Sequence, residues 1–118
     1  MNESVVSRTD ISPDTTVIDP GQQLDNNNAH EMVDAIGRAQ AEGYRYVIID
    51  MKNLQFISSS GVGSILGSVE ALREAGGDIV LCNISEDIKN VFRVLDLLDF
   101  MTIAADVDQA RERCAGKR

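Results

Sequence analysis

At 118 residues, with 19 acidic against 11 basic side chains and a formal charge of −8, the chain is sized for one hydrophobic core and carries no excess of cations. That balance argues against a nucleic-acid groove or an anionic membrane surface, both of which need clustered Lys and Arg, and leaves a protein partner or a small ligand. No apolar run approaches the roughly 18 residues of a spanning helix, and the first residues lack a basic region followed by a long apolar one, so a cytoplasmic protein without membrane insertion is expected.

Residues 4–9 and 15–19 are short β-prone runs divided by turn formers at 10–14, which predicts a β-hairpin. Pro20-Gly21 ends the second run, and residues 22–28 read as a polar loop, with Asn28 placed to cap a helix. Ala29, Met32, Val33 and Ile36 form the apolar stripe of that helix to about Ala39, and Gly43 is its stop signal. Residues 44–50, Tyr-Arg-Tyr-Val-Ile-Ile-Asp, are β-branched and aromatic enough for a buried strand. A serine loop follows, then a helix from about Ser60 to Ala75 with Val62, Ile65, Leu66, Val69 and Leu72 on one face. Gly76-Gly77 ends it. Residues 78–84 are the next buried strand. Ser85 caps a helix with acids in its first turn, an inner stripe of Ile88, Val91, Phe92 and Leu95, and an end near Leu97. Residues 101–104 make a short last strand, and residues 107–114 a last amphipathic helix before a charged tail.

The order β-β-α-β-α-β-α-β-α predicts a single α/β domain over residues 1–118, with its core from about 3 to 114. Its sheet is mixed but mainly parallel, with an antiparallel pair from the N-terminal hairpin, and about four helices cover it. Cys82 and Cys114 are the only cysteines and His30 the only histidine. Cys82 sits in an apolar run, as a buried strand thiol would, whereas Cys114 lies in a polar tail. Their separation offers neither zinc-ligand spacing nor, in a cytoplasmic chain, a structural disulfide, so no metal and no cofactor is expected.

Three hydroxyls, Ser58, Ser59 and Ser60, crowd the start of the second long helix. Backbone N–H groups at a helix start lack partners and carry roughly half a positive charge, so the place suits a hydroxyl, an anion or a phosphoryl group. On residue physics alone one serine is simply an N-cap, worth about 1 kcal/mol, and Gly61 and Gly63 permit close packing. A dinucleotide fingerprint is poorly matched, because three residues separate Gly63 from Gly67 and the glycines begin well beyond Asp50. No lysine follows the glycines, which disfavours a Walker loop. The serines do not fit G-x-S-x-G, and His30 is the sole candidate base for a hydrolase, more simply placed on a helix surface. No enzyme is expected here.

Val47-Ile-Ile-Asp-Met-Lys-Asn-Leu-Gln-Phe-Ile-Ser-Ser-Ser-Gly-Val-Gly-Ser-Ile-Leu-Gly67 resembles the core motif of STAS domains, specifically the bacterial anti-sigma factor antagonists. Their pattern is a strand, Asp or Asn, a Leu three residues on, then Asp-Ser-Ser/Thr-Gly-Leu-Gly opening a helix. Residues 76–84 with Val91-Phe92 resemble the family's next strand and helix, and residues 21–25 its Gly-x-Leu-Asp loop with one residue added. Nearly the whole chain is covered. One position departs from the pattern: Ser58 stands where the family has Asp.

The resemblance implies a STAS-like fold and partner switching in transcription control. The unmodified protein binds an anti-sigma factor that is itself an ATP-dependent serine kinase; phosphorylation releases it, and a phosphatase resets the cycle. Carried over by position, Ser59 is the phospho-acceptor, with Ser60 and Ser58 as the alternatives. Asp25, Asn26, Asn27 and Asn28 join Ser58, Ser59, Ser60, Gly61, Val62 and Gly63 in the implied docking surface. Two other readings stand beside this one. The first is a STAS subunit of another signalling scaffold or of a lipid-transport complex, with the serine only a cap. The second is a small ligand-binding α/β domain using the glycine turn.

Overall fold

The computed structural model describes residues 6–117. Two antiparallel strands open it, β1 (Ser7–Ser12) and β2 (Thr15–Asp19), paired with Ser7 opposite Asp19 and a bulge between Asp10 and Ser12. The hairpin therefore turns at Pro13 and Asp14, with the first strand three residues later than expected; residues 4 and 5 of that expectation lie outside the described residues. Pro at the first turn position presets φ, and Asp10 and Ser12 still pair with Thr16 and Thr15, with Ile11 the extra residue of the bulge.

The chain continues through β3 (Gln23–Leu24), α1 (Ala29–Ala41), β4 (Tyr46–Asp50), β5 (Phe56–Ile57), α2 (Ser59–Glu74), β6 (Asp78–Cys82), α3 (Glu86–Val94), β7 (Thr102–Ala104) and α4 (Val107–Lys117). The main sheet has the order β1-β2-β4-β6-β7, and every pairing after the hairpin is parallel. The expected mixed, mainly parallel α/β sheet with an N-terminal hairpin and four helices is what forms. Two short strands were not anticipated: β3 and β5 pair parallel in a separate ribbon, Gln23 with Phe56 and Leu24 with Ile57. Residues 22–28 are thus not wholly a polar loop, because Leu24 is fully buried.

Alternation along the central strands separates two cores. Val47, Ile49, Ile79 and Leu81 face Met32, Ile36, Ile65, Val69, Leu72, Ile88 and Phe92 of α1, α2 and α3. Tyr46, Ile48, Val80 and Cys82 face the other way and meet Ala110 and Cys114 of α4. Both faces being covered explains why these strands read as continuous apolar runs. It also corrects the placement of Cys114, which is fully buried rather than part of a polar tail; small residues at 110 and 114 let α4 approach the sheet closely. The two thiols form no disulfide, and burial pushes the Cys82 thiol up to about 12.

Helix ends follow local chemistry. Gly43 and Gly76 take positive φ just past α1 and α2, and at Gly77 any Cβ would overlap the Arg45 carbonyl oxygen. Ser85 accepts the Ile88 N–H at 3.2 Å as the cap of α3. That helix stops at Val94 rather than near Leu97, with Asp96 in the left-handed region, and Leu95 is half exposed instead of belonging to the inner stripe. Val33, expected in the stripe of α1, is likewise exposed.

Candidate functional site

The parallel strands β2, β4 and β6 end at Asp19, Asp50 and Cys82, and α2 begins beyond that same edge. The β3–β5 ribbon builds the site there. The Gln22 carbonyl accepts N–H groups from Gln55 and Phe56 at 2.7 and 3.2 Å, and the Leu24 carbonyl accepts the Ser58 N–H at 2.9 Å. Two segments far apart in sequence, the Asp25 loop and the serine turn, are thereby set side by side.

Ser58 is extended (φ −92°, ψ 173°), and its Oγ accepts the Gly61 N–H at 3.2 Å. It is the N-cap, and Ser59 and Ser60 are the first two helical residues, one position earlier than expected. Ser58 is half-buried while Ser59 and Ser60 are exposed. The first turn of α2 contains no acidic residue, so no carboxylate of the helix itself offsets the positive end of its dipole. Gly61 has a packing reason: a Cβ there would overlap the Leu24 carbonyl oxygen and lie 2.8 Å from Ile57 Cγ1. At Gly63 a Cβ would meet nothing within 4 Å.

Of the expected docking residues, Asp25 is half-buried, Asn26, Asn27 and Gly63 are exposed, and Asn28, Gly61 and Val62 are buried. Asp25 accepts the Asn27 N–H on Oδ1 at 2.9 Å, an Asx-type turn. Asn28 occupies the N-cap position of α1 but makes no side-chain cap bond. Its Oδ1 accepts the Asp25 N–H at 2.9 Å and its Nδ2 donates to the Gln23 carbonyl at 2.7 Å. The expected capping role is therefore replaced by a bond to the preceding loop. His30 is exposed on α1.

Behind the turn, Asp50 is nearly fully buried. Burial alone would raise its pKa, but a hydrogen bond from Asn83 Nδ2 (3.0 Å) and bonds from the Lys52 ammonium (2.9 Å) and backbone N–H (3.1 Å) outweigh it and hold the carboxyl below its usual value. Lys52 also lies 3.7 Å from Asp19, and Asn53 donates to Asp19 at 3.0 Å. These contacts tie the ends of β2, β4 and β6 to the loop that leads to the serines. Among the described residues no three His, Cys, Asp or Glu side chains are grouped to hold a metal ion, and no helix is long and apolar enough to cross a membrane.

Sequence reasoning missed one part of this surface. A groove of about 360 Å³ runs from Ile57, Ser58, Ser59 and Val62 to Asn90, Val91, Val94 and Leu95 of α3. Val94 is 75% exposed and Leu95 50%, so an apolar ridge borders the serines. The signal was present: Phe92 and Val94 lie about 200° apart round the helix, so both cannot face the core.

A small α/β domain with a serine-started helix beside a two-strand ribbon defines the class, and comparison with known proteins supplies the family. The sequence pattern described as "STAS domain" matches residues 7–110, and the chain belongs to that family. An anti-sigma F factor antagonist from Paenibacillus polymyxa is 32% identical over 75 residues, which are 58% of this chain and 62% of that protein. SpoIIAA, described as an anti-sigma factor antagonist in its unphosphorylated form, superposes with a TM-score of 0.77 at 24% identity, covering 95% of this chain and 99% of the other. The Bacillus cell fate determinant SpoIIAA in its phosphorylated form gives 0.73 at 26% identity, covering 92% and 98%. The relatives with which the chain groups are thus anti-sigma factor antagonists.

Proposed function

We propose that the chain is an anti-sigma factor antagonist that works by partner switching. Unmodified, it binds a cytoplasmic anti-sigma factor that is also an ATP-dependent serine kinase. The Ser59 hydroxyl then takes the γ-phosphoryl group of ATP, forming the new O–P bond as ADP leaves and the hydroxyl proton passes to the kinase. A phosphatase restores the hydroxyl by hydrolysis. The protein is the substrate and not the catalyst.

The observation that carries this reading is the division of labour among the serines: Ser58 caps the helix, and Ser59 stands exposed beside it. In a scaffold whose serine is only a cap, Ser58 would suffice. The phosphorylated form known for SpoIIAA supports modification in a relative. Phosphorylation adds about −1.5 to −2 charges beside the apolar ridge of α3, where repulsion and desolvation cost would break a docked complex. Asp25, Asn26, Asn27 and the Val62–Leu95 groove complete the docking surface.

The test is incubation of the purified chain with candidate serine-kinase anti-sigma factors from the same genome and Mg-ATP, read by intact mass and by co-elution. One phosphoryl group on the wild type and none on Ser59→Ala is expected. Ser59→Ala should co-elute with the kinase and Ser59→Asp should not. Equal co-elution of both variants, or a phosphoryl group that persists in Ser59→Ala, would overturn the assignment.

A further inference from the structure

Asn28 is a side chain in an unexpected role. It stands where a helix cap belongs, it is 91% shielded from solvent (9% exposed), and it leaves the N-terminal N–H groups of α1 without its help. Both ends of its amide turn back along the chain: Oδ1 to the Asp25 N–H at 2.9 Å and Nδ2 to the Gln23 carbonyl at 2.7 Å. The orientation is fixed by chemistry, since the flipped amide would set a donor against a donor and an acceptor against an acceptor. These two bonds bracket Leu24, whose carbonyl accepts the Ser58 N–H and rests against Gly61.

We propose that Asn28 is a positioning residue, a latch that holds the Asp25 loop and the serine turn as one unit. The loop backbone also closes on itself, with the Asp25 carbonyl accepting from Asn28 and Ala29 at 3.2 and 2.8 Å, but these bonds lie on the α1 side of Asp25. The Asn28 side chain bonds on the other side, to Gln23, and so holds Leu24 from both flanks while the Gln22 and Leu24 carbonyls pair with β5 and the serine turn. Its use of a buried amide in place of a cap sacrifices helix stability for loop geometry. The significance of the unit rests on the partner-switching reading, because a docking partner would then meet Asp25 and Ser59 in one fixed arrangement. The latch itself does not depend on that reading.

Hydrogen exchange on the full chain, read residue by residue by NMR, tests it with Asn28→Ser. Serine restores a good N-cap to α1 and removes both latch bonds, so fold stability and latch are separated. The amides of Asp25 and Ser58 should exchange about tenfold faster or more, while those of Ile48 and Val80 in the central strands keep their wild-type rates. An unchanged Ser58 amide would overturn the coupling, and an equal acceleration at Ile48 and Val80 would reduce the effect to global stability and overturn it as well. Should Asn28→Ser fail to fold, Asn28→Asp is measured by the same criteria, since it keeps the acceptor and loses the donor to Gln23. A wild-type exchange pattern in the variant sinks the latch alone; failure of Ser59 phosphorylation sinks only the reading above.

Discussion

The two ends of the parallel strands treat polar groups in opposite ways. At the end where β6 begins, Asp78 is buried and closed in: Arg73 Nε reaches its Oδ1 at 2.8 Å, the Ile79 N–H the same oxygen at 2.8 Å, and the Thr102 hydroxyl its Oδ2 at 2.9 Å. Arg73 also donates to the Phe100 carbonyl at 2.8 Å and stacks 4.6 Å over that ring. At the other end, Ser59 and Ser60 present hydroxyls to solvent, and the Ser59 side chain makes no hydrogen bond among the described residues. Polar groups that complete one another inside the fold contribute stability; polar groups left facing outward are available to a partner. The contrast lies at the rim, since beneath the serines Asp50 is as closed in as Asp78, by Lys52 and Asn83.

The largest effect that would sharpen this contrast is at Arg73. Arg73→Ala removes a cation, one third exposed, from the buried Asp78 carboxylate and should cost about 2 kcal/mol, less than a fully buried pair because water reaches the guanidinium. Urea unfolding should show that loss, whereas Ser60→Ala should stay within about 0.5 kcal/mol of wild type, as exposed substitutions do. Comparable losses from the two variants would erase the distinction between the ends.

Much of this arrangement was legible in the sequence. The central strands were readable because burial on both faces makes runs such as Val47-Ile-Ile49 continuously apolar, and Ser85 was readable as a cap because acids follow it in the first turn. The β3–β5 ribbon was not readable. Two residues carry no periodicity, and Leu24 and Ile57 find each other only after the chain between them has folded. Asn28 does occupy the N-cap position, but the bonds of its side chain were not readable, because its partners at Gln23 and Asp25 follow from three-dimensional closure of the loop. The α3 groove was hidden because Leu95 was counted in the inner stripe, whereas the helix ends at Val94 and leaves Leu95 half exposed beside it. The serine turn itself was legible in residue type and in place, but which serine caps and which is spare came only from the Ser58 Oγ to Gly61 N–H bond.

Acid tests the site end from beneath. The folded-state pKa of Asp50 lies below its ordinary value of 3.8, so its carboxylate contributes stability that is complete above the unfolded-state pKa and lost as the pH falls through the folded-state one. Unfolding free energy should therefore fall as the pH is lowered through and below the ordinary carboxylate range, from about pH 5 downward. The drop should be smaller in Asp50→Asn, which has no carboxyl to protonate and keeps an acceptor for the Lys52 N–H. An identical drop in both proteins would mean that Asp50 and its bonds from Asn83 and Lys52 do not stabilise the strand ends.

The smallest effect discriminates most finely within the serine triplet. Ser58→Ala removes the hydroxyl that accepts the Gly61 N–H and should cost about 1 kcal/mol, the usual worth of an N-cap. Ser59→Ala removes a hydroxyl with no such bond and should cost nearly nothing in thermal or urea unfolding. Ser58→Asp keeps an acceptor at the cap and adds a negative charge to a helix start that has no acid in its first turn, so it should equal or exceed wild-type stability, by up to about 1 kcal/mol at low salt, and lose the gain as salt screens the dipole. If instead Ser59→Ala proved the costly substitution and Ser58→Ala the silent one, the register of the turn would move by one residue. The exposed hydroxyl offered for exchange would then belong to Ser60 rather than Ser59. The order of the two alanine variants therefore decides which serine is structural and which is free, independently of any kinase.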